Sequence, residues 1–418
     1  MSLSRFSKLY SIMRPVSFST AVTPLLILVC VSGLSSLQLK HHRRSCVILL
    51  KVLTILVVFA CRGSTLVSLV AKFSKVLSHD IESLYLASYT LGEVFIVALL
   101  GCCFQKSFGT FILEFESYQR EHGRSDACYR SVLVVGILAL IVAVVNIGAA
   151  VYYVFATGIT AYCHHGYGML SDTFGDVMCH PALFGASLFF MIQIYSSAFF
   201  LYLGVWRLLK IEADDIVKNL TTQEKKTLRE RPEMIEDSRL RHADLCHVIA
   251  TANRFLRHIV AAFYGAGVIC VLLSIYGFIS NSLGLHDLLM GSMFVGFVVY
   301  LVVITLTGVA LNLKMHEPAD FLYRLDVQRM TGKGSEVVSM FLYRVHGTPI
   351  GFNVYSLFTV DTSTIMMICG FILTYALVIV QFHPGAPVQL SPSSSTDPSL
   401  PMTSGYTEHM NYVNTTQL

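Results

Sequence analysis

The residues with most chemistry to offer are few, and they lie inside or beside long apolar stretches. Near the end of the last such stretch, Thr374, Val378 and Gln381 recur at helical spacing, with Met367, Gly370 and Phe371 continuing the stripe. An amide facing lipid has no partner, so this stripe should face protein or water, as in a pore closed by an apolar ring. A glutamine already wetted at the membrane surface is the alternative. Arg62 and Glu93 sit inside two other apolar stretches, where an unpaired charge is costly. Adjacent antiparallel helices would bring them into one ion pair, or place them at a ligand or gate. Lys51 is close enough to a stretch end to snorkel. Cys163 and Cys179 share a loop with His164, His165 and His180. A disulfide closing this short loop is the expectation; a mixed Cys/His metal site is the alternative, but the spacing fits no standard zinc pattern. The sequence contains no HExxH, G-x-S-x-G or Walker loop, and Asp172 with Asp176 reads as a solvated loop. No enzyme, cofactor, metal or nucleic-acid partner is therefore expected.

These groups need elements to position them, and composition says which. The 418-residue chain is 54% hydrophobic and only 13% charged, about half the roughly 25% charge of a soluble domain. The charges are also segregated from the apolar runs, as a bilayer imposes. Seven runs are long enough to cross it: Cys46–Val70, Leu84–Phe104, Val132–Thr157, Pro181–Leu209, Ile259–Ser280, Leu288–Leu313 and Thr364–Phe382. An eighth, Thr23–Leu39, is bounded by Pro24 and broken by Gly33 and serines, and reads as an interfacial or half-inserted helix. With Arg14-Pro15 before it, the layout is not that of a cleavable signal peptide.

Sidedness follows from Lys and Arg. With a cytoplasmic N-terminus, the inner segments hold Arg5, Lys8, Arg14, Lys40, Arg43, Arg44, Lys106, Arg120, Arg124, Arg130, the basic cluster of 207–257, Lys314, Arg324, Arg329, Lys333 and Arg344. The outer segments hold only Lys72 and Lys75, which is the positive-inside pattern. A full eighth span would put Lys40, Arg43 and Arg44 outside. The fold expected is all-α: a polytopic membrane protein with seven transmembrane helices, a cytoplasmic N-terminus and an extracellular C-terminus, multi-pass in the plasma membrane. Residues 1–45 form the cytoplasmic N-terminus and 46–382 the membrane domain. Residues 208–257 are charged, rich in helix formers and split by Pro232, so they read as inner extensions of the fourth and fifth spans. Residues 383–418, rich in Pro, Ser and Thr, cannot bury a core and read as a disordered extracellular tail.

Thr374-Tyr375, five apolar residues and Gln381-Phe382 resemble the Thr-Tyr…Gln-Phe motif that ends the last span of insect-type gustatory receptors and their gustatory-receptor-like relatives. Phe358-Thr359-Val360-Asp361 and the break at Gly347-Thr348-Pro349-Ile350-Gly351-Phe352 are similar to that family's segment before its final span. The likeness covers about residues 1–382; the long tail departs from insect members. The resemblance implies a ligand-gated, non-selective cation channel, in which four subunits surround one pore and each lends the outer part of its last helix. It implies a homotetramer embedded in lipid, with an inner helical anchor at 207–257, 314–326 and 334–357 and a pore helix at 364–382. The gate would fall on Val378 and Gln381, with Phe382 and Thr374 beside them. It also implies a small-molecule pocket in the outer half of the first six spans. Candidates there by depth and chemistry are Tyr85, Tyr89, Glu93, Asn146, Tyr152, Tyr153, Gln193, Tyr195, Tyr276 and Phe294. The stimulus itself is not encoded in these residues. A G-protein-coupled receptor is the competing class. It would need the basic loops on the wrong side, and neither Asp-Arg-Tyr after the third span nor Asn-Pro-x-x-Tyr in the seventh is present. A non-conducting scaffold with the same fold is the third.

The sidedness makes a direct prediction. Asn414, in the acceptor Asn414-Thr415-Thr416, will carry glycan in animal cells, and Asn219, in Asn219-Leu220-Thr221, will not. Glycopeptide mass spectrometry that finds sugar on Asn219 would invert the topology.

Overall fold

The computed structural model describes residues 24, 107–123, 126–157, 181–222, 232–280, 285–325, 330, 332–347, 349–355 and 357–382. The first two expected spans, the loop 158–180, the tail 383–418 and, apart from Pro24, the stretch Thr23–Leu39 lie outside the described residues. So do Arg62, Tyr85, Tyr89, Glu93, Cys163, Cys179 and Asn414.

The described chain is helical throughout, apart from one pair of two-residue strands. In order it runs α1 (107–122), α2 (Asp126–Thr157), α3 (Pro181–Thr222), α4 (Pro232–Ser280), α5 (Leu285–Tyr323), α6 (Gly332–Gly347), β1 (Asn353–Val354), β2 (Phe358–Thr359) and α7 (Thr362–Phe382). Among the described residues, α2, α3, α4, α5 and α7 are long and apolar enough to cross a membrane. Their surfaces agree with that. On α2, Val134, Ile137, Leu138, Ile141, Val144 and Val145 are all exposed, a continuous apolar face that water would not tolerate but lipid does.

Helix length then dictates a second region. With 42, 49 and 39 residues, α3, α4 and α5 are roughly 60–75 Å long at 1.5 Å per residue, about twice the ~30 Å hydrocarbon core. Each must run on beyond the bilayer. The excess is where charges gather, and there the helices bury an ordinary soluble-type core: Leu209, Ala213, Ile216 and Leu220 of α3, Ile235, Leu245 and Ile249 of α4, and Met315, Ala319 and Leu322 of α5. Helix α6 closes it with Gly334, Val337, Val338, Phe341 and Val345, a three/four spacing that gives one apolar stripe. Pro232 opens α4 at the first helical position, where its missing N–H costs nothing.

Polar contacts tie this core across helices. Arg241 of α4 donates to the buried carboxylate of Glu212 on α3 at 3.0 Å, to Asp215 at 2.8 Å and to the Tyr118 hydroxyl of α1 at 3.2 Å. Gln119 of α1 donates to Glu212 at 3.3 Å and accepts from the Tyr129 hydroxyl of α2. The arginine thus joins α1, α3 and α4, and Gln119 extends the network to α2. Elsewhere in the same core, Lys314 of α5 reaches Asp214 of α3 at 3.2 Å. His242 of α4 lies 3.0 Å from the Met315 carbonyl of α5 and packs on the Phe341 ring of α6.

Residues 334–357 do not form one helix. Helix α6 ends at Gly347, and extended chain follows in which β1 and β2 pair antiparallel, Asn353 with Thr359 and Val354 with Phe358. Tyr355, in the turn between them, has φ 49°, a left-handed conformation that costs a non-glycine residue on the order of 1–3 kcal/mol. Tertiary contacts hold it there: its hydroxyl is hydrogen-bonded to His258 Nδ1, and its ring lies 5.3 Å from the Arg257 guanidinium.

Removing Arg241 leaves Glu212 buried without its counter-charge. Arg241→Ala should cost about 3–5 kcal/mol, as expected for breaking a buried pair from one side. Thermal unfolding of the solubilised protein checks this; a loss no larger than that of the exposed Lys218→Ala would show that the cluster is not a structural knot.

Candidate functional site

Helix α7 is 21 residues long, about 32 Å at 1.5 Å per residue, so it fits one bilayer thickness with nothing to spare. Its start is built with care. Asp361 is the N-cap: its Oδ1 accepts from Ser363 Oγ at 2.6 Å and from the Thr364 N–H at 3.1 Å. In return the Asp361 N–H donates to Thr364 Oγ1 at 3.2 Å, the reciprocal bonding of a capping box. Thr364 is buried, and Ile365, Ile368 and Ile372 pack on the main core. Beyond Ile372 the helix leaves the body. Leu373, Thr374, Tyr375, Leu377, Val378, Val380 and Gln381 are all exposed.

The sequence-derived stripe therefore lies on an open surface of the single chain. Val378 is 40% exposed and unencumbered by its own subunit's core. Thr374 Oγ1 donates back to the Gly370 carbonyl at 2.7 Å, which leaves its oxygen free to accept. Tyr375 stacks on Phe371 with ring centroids 4.4 Å apart. Phe382 ends the helix, and its side chain is outside the described ones.

The second group of candidates lies between α2, α3, α4 and α5. Asn146 of α2 donates to Ser196 Oγ of α3 at 3.1 Å, and that hydroxyl is 3.3 Å from the Tyr300 hydroxyl of α5. Tyr195 is buried, edge-on to Phe263 of α4 and Phe297 of α5. Gln193 is also buried; its amide nitrogen donates to Ser197 at 3.1 Å, while its Oε1 has no partner among the described residues. Phe294 and Tyr276 are half-buried at the margin. Tyr152 and Tyr153 fall on α2, with side chains outside the described ones. So Asn146 and Tyr195 converge on one polar and aromatic cluster, while Gln193 bonds within its own helix to Ser197. Ser196, Phe199, Phe263 and Tyr300 belong to it and were missed from sequence. Tyr300 carried a usable signal: a tyrosine hydroxyl within an apolar helix needs a partner.

Among the described residues, Glu121, His122 and Asp244 bring three potential metal ligands within 4.8 Å of one another. His122 Nε2 already bonds Asp244 at 2.9 Å, so the group serves as a bond between α1 and α4.

Long apolar helices with lipid-facing surfaces and a charged core beyond them define an all-helical, multi-pass membrane protein. The sequence matches the 7tm chemosensory receptor family over residues 21–385, and the chain belongs to that family. Its fold is that of the insect olfactory receptor OR5 from Machilis hrabei. The receptor in complex with eugenol superposes with a TM-score of 0.58 at 12% identity, covering 87% of this chain and 98% of the receptor. A second structure of that receptor gives 0.57 at 14% identity over the same shares. Comparison with curated proteins returns no match.

The cap of α7 carries a pH dependence of known sign. Hydrogen bonds from Ser363, and then from Thr364, hold the Asp361 carboxyl below its ordinary range. Its contribution is therefore present above the unfolded carboxylate pKa of about 3.9 and is lost as pH falls through the folded value. Asp361→Ala should cost about 1 kcal/mol near neutral pH, a typical N-cap loss, and Asp361→Asn should cost less while flattening the acid limb of the stability profile. Unfolding midpoints measured from pH 7 to pH 3 test this; parallel acid limbs for wild type and Asp361→Asn would refute it.

Proposed function

We propose that this protein is a subunit of a ligand-gated, non-selective cation channel of the plasma membrane, with the pore formed by the last helix of each of four copies. The observation that carries the reading is α7. It is one bilayer long, apolar, capped at its Thr362 end and packed on the core through Ile365, Ile368 and Ile372, and among the described residues its Leu373–Gln381 part is largely exposed. Lipid accounts for an apolar face and for Thr374, whose hydroxyl is bonded to the Gly370 carbonyl, but not for the Gln381 amide on one stripe with Val378. Fourfold repetition about an axis gives that stripe a partner: copies of itself around a water path.

Family membership and the olfactory-receptor fold support the same reading. In it, seven spans place the N-terminus and the charged core of α3–α6 in the cytoplasm and the tail outside, in keeping with the Lys and Arg distribution. Four Val378 side chains brought together exclude water and close the path without a charged plug. The Gln381 amides form a neutral, hydrated ring beside it, which passes cations without strong discrimination. The stimulus is a small molecule, and the Asn146–Ser196–Tyr300 cluster with Tyr195 and Gln193 is where its polar and aromatic groups are met.

Patch recording with ion substitution tests the proposal. Val378→Ser should wet the constriction and raise basal current several-fold. Gln381→Glu and Gln381→Lys should shift cation permeability in opposite senses, whereas Tyr375→Phe should change assembly more than permeation. A conducting protein whose selectivity ignores the charge at position 381 does not use α7 as its pore. A folded tetramer that never conducts is a scaffold.

A further inference from the structure

The chain between α6 and α7 is held by the side chains of other helices to a degree that a connecting loop does not need. The Asn312 amide of α5 donates to the Ile350 carbonyl at 2.8 Å, and the Asn253 amide of α4 donates to the Gly351 carbonyl at 2.8 Å. Two asparagines from two helices thus grip consecutive carbonyls. The next residue, Phe352, is fully buried with its ring 5.2 Å from that of Tyr202 on α3. At the far end Val360, also fully buried, lies against Gly308 of α5 so closely that a Cβ on the glycine would come within 2.6 Å of Val360 Cγ1. Between these points the two strands and the Val360 N–H to Phe352 carbonyl bond at 2.8 Å make the segment one rigid unit. Thr364 Oγ1 then donates to the Thr359 carbonyl at 3.2 Å, carrying the connection into the first turn of α7.

Among the described residues, helix α7 also packs directly on α4. Among these residues Ile365, Ile368 and Ile372 pack on the core, and the helix touches α5 more lightly than α4. A displacement of α4 or α5 therefore reaches α7 by two routes, the direct packing and this hairpin.

We propose that Asn253, Asn312 and the Gly308–Val360 notch are the positioning residues that couple α4 and α5 to α7, so that the hairpin 349–361 moves with those helices and sets the tilt of α7. Its role in gating rests on the channel reading above; the mechanical coupling does not.

Hydrogen–deuterium exchange on the purified full chain in nanodiscs separates the two. In Asn253→Ala/Asn312→Ala, exchange should rise in peptides covering 349–361 and also in 362–368, by roughly tenfold, the size expected for two lost hydrogen bonds. Leu245→Ala, a core truncation elsewhere on α4, should leave both regions near wild type. Gly308→Ala should behave like the double variant, and if it does not fold, Gly308→Ala/Val360→Ala restores the space and should return exchange toward wild type. A rise confined to 349–361, no rise at all, or an equal rise in Leu245→Ala would overturn the proposal. Coupled exchange in a protein that never conducts would support the coupling and remove the channel reading. Coupled exchange together with altered basal current in Asn253→Ala/Asn312→Ala would support both.

Discussion

The constraint on which the rest of this structure depends is the mismatch between helix length and bilayer thickness. A membrane takes about twenty residues of helix, and α3, α4 and α5 supply 42, 49 and 39. The surplus lies beyond the hydrocarbon, where the charged side chains of these helices gather. It must then find partners in water. The two halves of each helix consequently obey different rules: apolar outward in lipid, apolar inward beyond it.

The region beyond lipid solves its problem as soluble proteins do, with a dry core and a few committed polar contacts. Arg241 is the clearest of these. Burying Glu212 is costly, and the arginine offsets that cost only because Asp215, Tyr118 and Gln119 complete the geometry. The result is less a source of stability than a fixed register among α1, α2, α3 and α4.

Helix α7 is the counterpart. It has no surplus length, and among the described residues it packs on the core only as far as Ile372 and joins the body through α4 and one hairpin. Its exposed apolar surface would be a liability in a monomer in water, and is unremarkable in lipid or against copies of itself. The strain at Tyr355 belongs to the same arrangement, since His258 and Arg257 hold a conformation the residue would not choose alone.

Much of this was legible in the sequence. The apolar runs, the excess of helix at 208–257, the break near Pro232 and the stripe Thr374–Val378–Gln381 are all local patterns, and local patterns follow from periodicity and propensity. The class and the family likeness followed from them. What the sequence did not reveal depends on distance along the chain. Nothing near Arg241 announces Glu212, Tyr118 or Asp215 as its partners, because three helices must first pack before the four groups meet. Asn253 and Asn312 read as ordinary polar residues in long helices until the fold sets them beside Gly351 and Ile350. Gly308 has meaning only once Val360 fills the space its missing side chain leaves. Sequence alone therefore determined which segments are helices and which of their faces are apolar, because hydrogen bonding within a helix and the partition of side chains between water and lipid are local. Tertiary structure decided which polar groups are satisfied by one another and how the last helix is held, because those energies exist only between segments that the chain itself keeps far apart.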